Sequence, residues 1–403
     1  MKDYSIKDQI YCYENTLILK NKLNIKNKEE LEIVETKITS FKIAELQKRE
    51  FKEYNLNFLF FKRKHKKIGG KMKILITGVA GFIGSNYLKH HLKNNPKDLI
   101  IGIDKLTYAG NLKNIENESK NNNFIFIKED ICNQNSIQEI IEKYDIEKII
   151  NFAAESHVDN SIESPQIFTK TNVLGTQILL DSAKKIWYDS KKNTWKTNTK
   201  FIQISTDEVY GSLELNEKPF TENNLIDPHS PYSASKAAAD MIVKSYYDTY
   251  KMPINITRCS NNFGPNQHEE KLIPKVIKNA INKKPIPVYG DGKQIRDWLY
   301  VEDHCKAIEM VLKNAKSGQI YNIGDQTEKT NIELIKTIIN YLNKKDSNID
   351  TDLIQYVKDR PGHDKRYAIN SNKIKKDLNW QSSKNFDKNL YKTIDSYIKQ
   401  YNI

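Results

Sequence analysis

Ile74-Leu75-Ile76-Thr77-Gly78-Val79-Ala80-Gly81-Phe82-Ile83-Gly84 is the stretch that decides the fold. Its opening run has no polar alternation, which predicts a strand buried on both faces, and residues from about 82 to 93 predict a helix. Between them lies a G-x-x-G-x-x-G turn. Its glycines permit a tight bend and close backbone approach, while the helix start offers free N–H groups and the positive end of its dipole. Gly78, Gly81 and Gly84 are therefore the candidate cradle for a pyrophosphate.

Working outward, similar runs occur at Leu99–Ile103, Phe124–Ile127, Lys148–Phe152, Phe201–Ser205 and Ile254–Thr257, each followed by helical sequence. This alternation predicts an α/β fold, a doubly wound parallel sheet of the Rossmann kind covered on both faces. Residues 71–258 form the expected dinucleotide-binding domain. Residues 259–403 mix loops, short strands and helices, as expected of a smaller mixed α/β substrate domain. Residues 1–70 are rich in Lys, Glu, Asn, Leu and Ile, and their apolar spacing between Glu29 and Lys52 predicts a helical extension.

Composition narrows the class. The chain has 403 residues, 38% hydrophobic and 29% charged, which suits a globular protein and excludes a disordered or fibrous one. No apolar run approaches the ~20 residues that span a bilayer. The opening carries acids and amides where a signal peptide needs its apolar stretch, so a cytoplasmic location without membrane contact is expected. Of the net charge of +13, the first 73 residues supply +8, with 18 Lys/Arg against 10 Asp/Glu. A surplus so concentrated argues against a nucleic-acid partner for the enzyme core. Cys12, Cys132, Cys259 and Cys305 are scattered and read as buried thiols, with no metal site expected.

Two groups carry chemistry. Asp104 ends the second predicted strand, 20 residues beyond Gly84, where a carboxylate accepts the ribose hydroxyls of NAD and repels the 2′-phosphate of NADP. Asp130 and Ile131 follow the third strand at the adenine side, although an acid at a strand end is often only a cap. Tyr232 and Lys236 stand four apart on a predicted helix and share a face. The ammonium is expected to lower the tyrosine pKa and so favour a base that takes a hydroxyl proton. Thr206, Asp207 and Glu208 follow the Phe201–Ser205 strand at the edge where such sheets bind ligands. One ionised and one protonated carboxyl there could remove a proton beside a carbonyl and protonate a departing hydroxyl. From spacing alone they are equally a cap and an exposed acid.

From Met72 onward, the chain resembles the extended short-chain dehydrogenase/reductase superfamily and, within it, the dTDP-glucose 4,6-dehydratase family of deoxysugar (dTDP-rhamnose type) biosynthesis. The resemblance rests on TGVAGFIGS (77–85), DKLTYAGNL (104–112), FAAESHVDNSI (152–162), STDEVYG (205–211), YSASKA (232–237), SNNFGPNQHEEKLIP (260–274), GDGKQIRDWLYVEDH (290–304), EKTN (328–331) and DRPGHDKRYA (359–368). STDEVYG discriminates, because related 4-epimerases lack its Asp-Glu pair. The resemblance implies a homodimeric hydro-lyase in which Tyr232 is the base for C4 oxidation, with Lys236 orienting the nicotinamide ribose and Thr206 binding the reacting hydroxyl. Glu208 would remove the C5 proton and Asp207 protonate the C6 hydroxyl. It implies NAD contacts at Phe82, Ile83, Asp104, Lys105, Leu106, Thr107, Asp130, Ile131, Ala153, Ala154, Thr171 and Asn262. Nucleotide-sugar contacts are implied at Ser156, Asn261, Lys271, Leu272, Pro287, Tyr289, Arg296, Asn331, Arg360 and His363, with Arg296 on the diphosphate.

Residues 11–47 resemble the opening helices of Fic-domain proteins, but the catalytic HPFx(D/E)GN-type motif is missing, so a truncated, non-catalytic and dispensable segment is expected. Two other functions remain open. One is another nucleotide-sugar short-chain enzyme, a 4-epimerase or a dehydratase of UDP- or CDP-glucose. The other is a non-catalytic NAD-binding protein.

Overall fold

Burial accounts for β1 (Lys73–Thr77), in which four of five positions are fully covered, so its apolar run needs no alternation. The computed structural model describes residues 72–359 and 362–401. The helical, Fic-like reading of residues 1–70, the fate of Cys12 and the role of Arg360 lie outside the described residues.

The strands after β1 are β2 (Leu99–Asp104), β3 (Phe124–Lys128), β4 (Lys148–Asn151), a small hairpin of β5 (Tyr188–Asp189) and β6 (Thr194–Trp195), β7 (Lys200–Thr206) and β8 (Ile254–Cys259). Beyond these come β9 (Asn261–Phe263), β10 (Ile286–Tyr289), β11 (Ile295–Tyr300), β12 (Ile320–Ile323), β13 (Glu328–Thr330), β14 (Ile354–Val357) and β15 (Arg366–Tyr367). The main sheet runs β12-β8-β7-β4-β1-β2-β3 with every pairing parallel. Strand order reverses between β1 and β4, which opens a crevice at their C-terminal ends, the place where doubly wound sheets bind ligands. One apolar layer packs Tyr87, Leu88 and Ile308 on one face. The other face carries Ile137, Leu179 and Trp187.

The chain returns to the sheet after residue 259. β12 pairs with β8 from Ile320↔Ile256 to Ile323↔Cys259. All six residues of β8 are buried, and an unpaired edge there would leave its backbone groups without water or partner. The remaining short strands form the smaller C-terminal part, with β10 on β14 and β11 held among β9, β13 and β15. Cys259 and Cys305 are buried as expected, and Cys132 is half-buried. Among the described residues no helix is long and apolar enough to cross a membrane.

A buried polar network ties the helix Phe82–Asn94, which starts at the glycine turn, to the helix Val301–Asn314. Tyr87 donates to Glu309 Oε2 at 2.8 Å, and His91 Nδ1 lies 2.8 Å from the same oxygen. Asn95 donates to Glu309 Oε1, and Lys313 pairs with it. Burial pushes the Glu309 carboxyl up, but the bonds from His91, Lys313 and Tyr87 outweigh it and hold the pKa at about 2, below the ordinary 4.5. Its stabilising contribution is thus complete above pH 4.5 and is lost as pH falls towards 2. Glu309→Gln should lower stability by about 3 kcal/mol at neutral pH and flatten acid unfolding in that window. Urea melts at neutral and acid pH check this, and an unchanged acid limb would sink it.

Candidate active site

The glycine turn needs its glycines. Gly78 has φ +64, and a Cβ there would stand 2.7 Å from the Ala153 nitrogen. A Cβ on Gly84 would collide with the Gly78 carbonyl oxygen. Gly81 caps the helix without a side-chain hydrogen bond, which leaves the first N–H groups to a ligand. Thr77 Oγ1 donates to Asn151 Oδ1 at 2.6 Å and accepts from Ala153 N at 3.1 Å, pinning β1 to β4 where the crevice opens.

A cleft of about 290 Å³ begins at this turn. Along it stand Gly78, Gly81, Phe82, Ile83, Gly84, Asp104, Lys105, Thr107, Asp130, Ile131, Ala153, Ala154, Thr171, Tyr232, Lys236 and Asn262. Leu106 does not line it; its side chain packs on the core, and its N–H donates to Asp104 Oδ1 at 2.8 Å. Asp104 Oδ2 accepts from Ala80 N at 2.9 Å, so this carboxylate also fastens the end of β2 to the glycine turn. Burial raises its pKa, opposed by those two backbone bonds. Lys105 pairs with Asp130 at 2.8 Å along the same cleft. With no room for a Cβ in the cradle, an uncapped helix start beyond it and a carboxylate at the end of β2, the residues present fit a dinucleotide such as NAD.

The chemical groups lie on the other wall. Thr206, Asp207 and Glu208 follow β7, and Thr206 Oγ1 accepts from Glu208 N at 3.3 Å, bending the chain into a single turn. Thr206 Oγ1 also lies 3.3 Å from Asp207 Oδ1 and donates to it, while Asp207 Oδ2 is buried without a partner. Burial first, then Glu208 and Asp297, push the Asp207 carboxyl well above the usual carboxylate range. These surroundings favour the protonated form of Asp207, and Oδ2 is the oxygen without a hydrogen bond in the structure.

Tyr232 and Lys236 share a face of the helix Pro231–Tyr250, which begins with a Ser230/Ser233 capping box. Their electrostatics differ from the sequence-based expectation. Lys236 donates to the Ile204 carbonyl oxygen at 2.6 Å, and the largest influences on Tyr232 come from burial and from other groups. Burial, Glu208, Cys259 and Asp207 push the phenol well above its ordinary value. The ammonium is held by a carbonyl on β7, and Glu208 and Asp207 both act on the ring with the opposite sign to that expected of a lysine.

Ser156, Asn261 and Lys271 line the same cleft, and Lys271 Nζ donates to Ser156 O at 2.7 Å. Leu272 opens the helix Leu272–Ile281. Pro287, Tyr289, Arg296, Asn331 and His363 do not line the cleft and lie in the C-terminal part. There Tyr289 and His363 meet edge to face at 6.4 Å. Arg296 connects the two regions: it donates to Asp364 O at 3.1 Å, covers the Tyr367 ring at 4.3 Å and acts electrostatically on Asp207.

Sequence reasoning missed several residues here. Tyr108 accepts from Ser156 N at 3.4 Å, and Glu155, His268 and Glu270 line the cleft. Tyr367, buried beside Arg296, feels the charge of Glu208. Tyr108 and Tyr367 both sit inside motifs quoted above, but a tyrosine announces no chemistry until its neighbours are placed. Among the described residues no cluster of His, Cys, Asp or Glu could hold a metal.

A family model described as GDP-mannose 4,6 dehydratase matches residues 75–393. The dTDP-glucose 4,6-dehydratase of Salmonella typhimurium is 46% identical over 340 residues, 81% of this chain and 93% of that protein. That of Haemophilus influenzae is 47% identical over 336 residues, 81% of this chain and 98% of its own length. Among solved structures, the dTDP-glucose 4,6-dehydratase of Bacillus anthracis in complex with NAD superposes with a TM-score of 0.73 at 44% identity, covering 82% of this chain and 98% of that one. The Streptomyces venezuelae dTDP-glucose 4,6-dehydratase, solved with NAD and TYD bound, gives 0.76 at 37% identity over the same shares.

Proposed function

The chain belongs to the dTDP-glucose 4,6-dehydratase family, and from that premise we propose that it converts dTDP-glucose to dTDP-4-dehydro-6-deoxyglucose with the residues assembled around Asp207. NAD, held along the glycine turn, Asp104 and the Ala153–Ala154 wall, supplies the hydride acceptor when bound and leaves each turnover unchanged. Tyr232, as the phenolate, takes the proton of the C4 hydroxyl, with Thr206 hydrogen bonding that hydroxyl. The 4-keto group that results acidifies the C5 hydrogen. Glu208 removes that proton, and Asp207 gives its own to the C6 hydroxyl, which leaves as water; the hydride taken from C4 then returns to C6 and Glu208 gives the proton back to C5, which completes the 6-deoxy product.

The observation that carries this reading is Asp207: a buried carboxyl with an unpartnered oxygen, next to a second carboxyl, in surroundings that raise its pKa. Hydride transfer alone has no use for such an acid, whereas loss of a hydroxyl does. Incubation of the purified protein with dTDP-glucose should yield the 4-keto-6-deoxy sugar nucleotide, identified by mass and NMR. Faster turnover of UDP- or CDP-glucose would reassign the substrate. A C4 epimer as product, or no product, would overturn the reading.

A homodimer in the cytoplasm, where NAD and sugar nucleotides are found, completes the proposal. Ile162, Ile167, Leu174 and Met241 are all more than two-fifths exposed, on helical segments packed against one another beside Tyr232. A surface apolar patch of this kind suits a second copy. Leu174→Asp with Met241→Asp should halve the mass seen by light scattering, and a wild-type protein already of monomer mass would remove the interface.

A further inference from the structure

Asn262 lies in the middle of β9, opposite Leu299 of β11, and lines the cleft. Directly after β11 the chain enters the helix Val301–Asn314, and His304 falls in its first turn. That turn brings His304 Nδ1 to 3.0 Å from Asn262 Oδ1, across 42 residues of sequence. The imidazole is wholly buried, and its Nε2 has no partner. Burial also holds its pKa down to about 3, so the ring is neutral.

These contacts agree on one arrangement. Asn262 Nδ2 donates to Ser260 O at 2.9 Å, so its amide oxygen is the atom turned to His304. An oxygen can only accept, and the proton of the neutral ring therefore sits on Nδ1. One amide N–H of Asn262 is spent on Ser260, and the same amide also hydrogen bonds the buried Cys259 thiol. A buried imidazole with an orphaned nitrogen is an expensive way to fill space that a phenyl ring would fill as well. The bond to Asn262 is what the histidine contributes.

We propose that His304 is a positioning residue that locks the orientation of the Asn262 side-chain amide for the cofactor, an inference that rests on reading Asn262 as an NAD contact. His304→Phe keeps a flat ring but loses the donor. His304→Asn places an N–H close to where Nδ1 was, and His304→Gln places one nearer Nε2. The test is NAD affinity, by titration calorimetry on protein stripped of cofactor, with thermal melts alongside. His304→Phe and His304→Gln should bind NAD about tenfold more weakly, roughly 1.4 kcal/mol. His304→Asn should stay within about threefold of the parent. Asn262→Ala should lose at least as much as His304→Phe, and the two together no more than Asn262→Ala alone.

If Asn262→Ala weakens NAD binding and His304→Phe does not, the inference falls while the Asn262 reading stands. If Asn262→Ala has no effect, that reading fails and takes the inference with it. Should His304→Phe not fold, the Asn and Gln variants decide, and equal NAD affinity in those two overturns the proposal.

Discussion

Asp207→Asn should stop turnover after the first oxidation, with overall rate down by roughly 10²–10⁴, the range that a positioned general acid supplies. The substitution is close to isosteric. The amide oxygen can still accept from Thr206 as Asp207 Oδ1 does, so the turn after β7 should survive. What disappears is the transferable proton on Oδ2, the buried and unpartnered atom. The C6 hydroxyl then has no acid to leave with, while the C4 chemistry, which uses Tyr232, is untouched. The near-ultraviolet absorbance of reduced nicotinamide should rise on mixing with substrate and persist. Full turnover by this variant would remove Asp207 from the acid role. In the parent, elimination should slow as pH rises through the elevated Asp207 pKa, because the group works in its protonated form.

Tyr232→Phe should fail earlier. The Tyr232 phenolate is the group assigned to take the C4 hydroxyl proton, and its loss should cost a similar 10²–10⁴ in the first oxidation. The ring packs edge to face on Phe168 at 6.4 Å, a contact phenylalanine keeps, so stability should hold within about 1 kcal/mol. No reduced nicotinamide should appear on mixing, which separates this variant from Asp207→Asn without reference to product. A burst of reduced nicotinamide at the parental rate would exclude Tyr232 as the base. The structure adds a condition that spacing did not: with Lys236 on the Ile204 carbonyl and carboxyls near the ring, the phenol resists ionisation. A phenol that still holds its proton cannot take another, so Tyr232 has to give up its own before it serves as base, and charge brought into the cleft by cofactor and substrate has to favour the phenolate.

Local sequence was enough for the frame. Apolar runs without alternation, each followed by helical sequence, fit strands covered on both faces, so β1 and the helix after it were legible from residues 73 to 94 and the parallel sheet from the repetition of that pattern as far as Thr257. Thr206, Asp207 and Glu208 are adjacent, and Tyr232 and Lys236 are one helical turn apart, so their grouping was also written in spacing. The closing strand β12 was not, because four residues carry too little periodicity to announce which edge they will satisfy.

The state of the site was decided by tertiary structure. Whether Asp207 holds a proton depends on its burial and on Asp297, 90 positions away in sequence. Whether Lys236 faces the phenol or a carbonyl depends on how the helix Pro231–Tyr250 lies against β7. The His304–Asn262 bond exists only because β9 and β11 pair. Hydrophobic periodicity reports which face of an element is covered. The charge on a buried group is set by solvent exclusion and by charges at distances that only the folded chain defines.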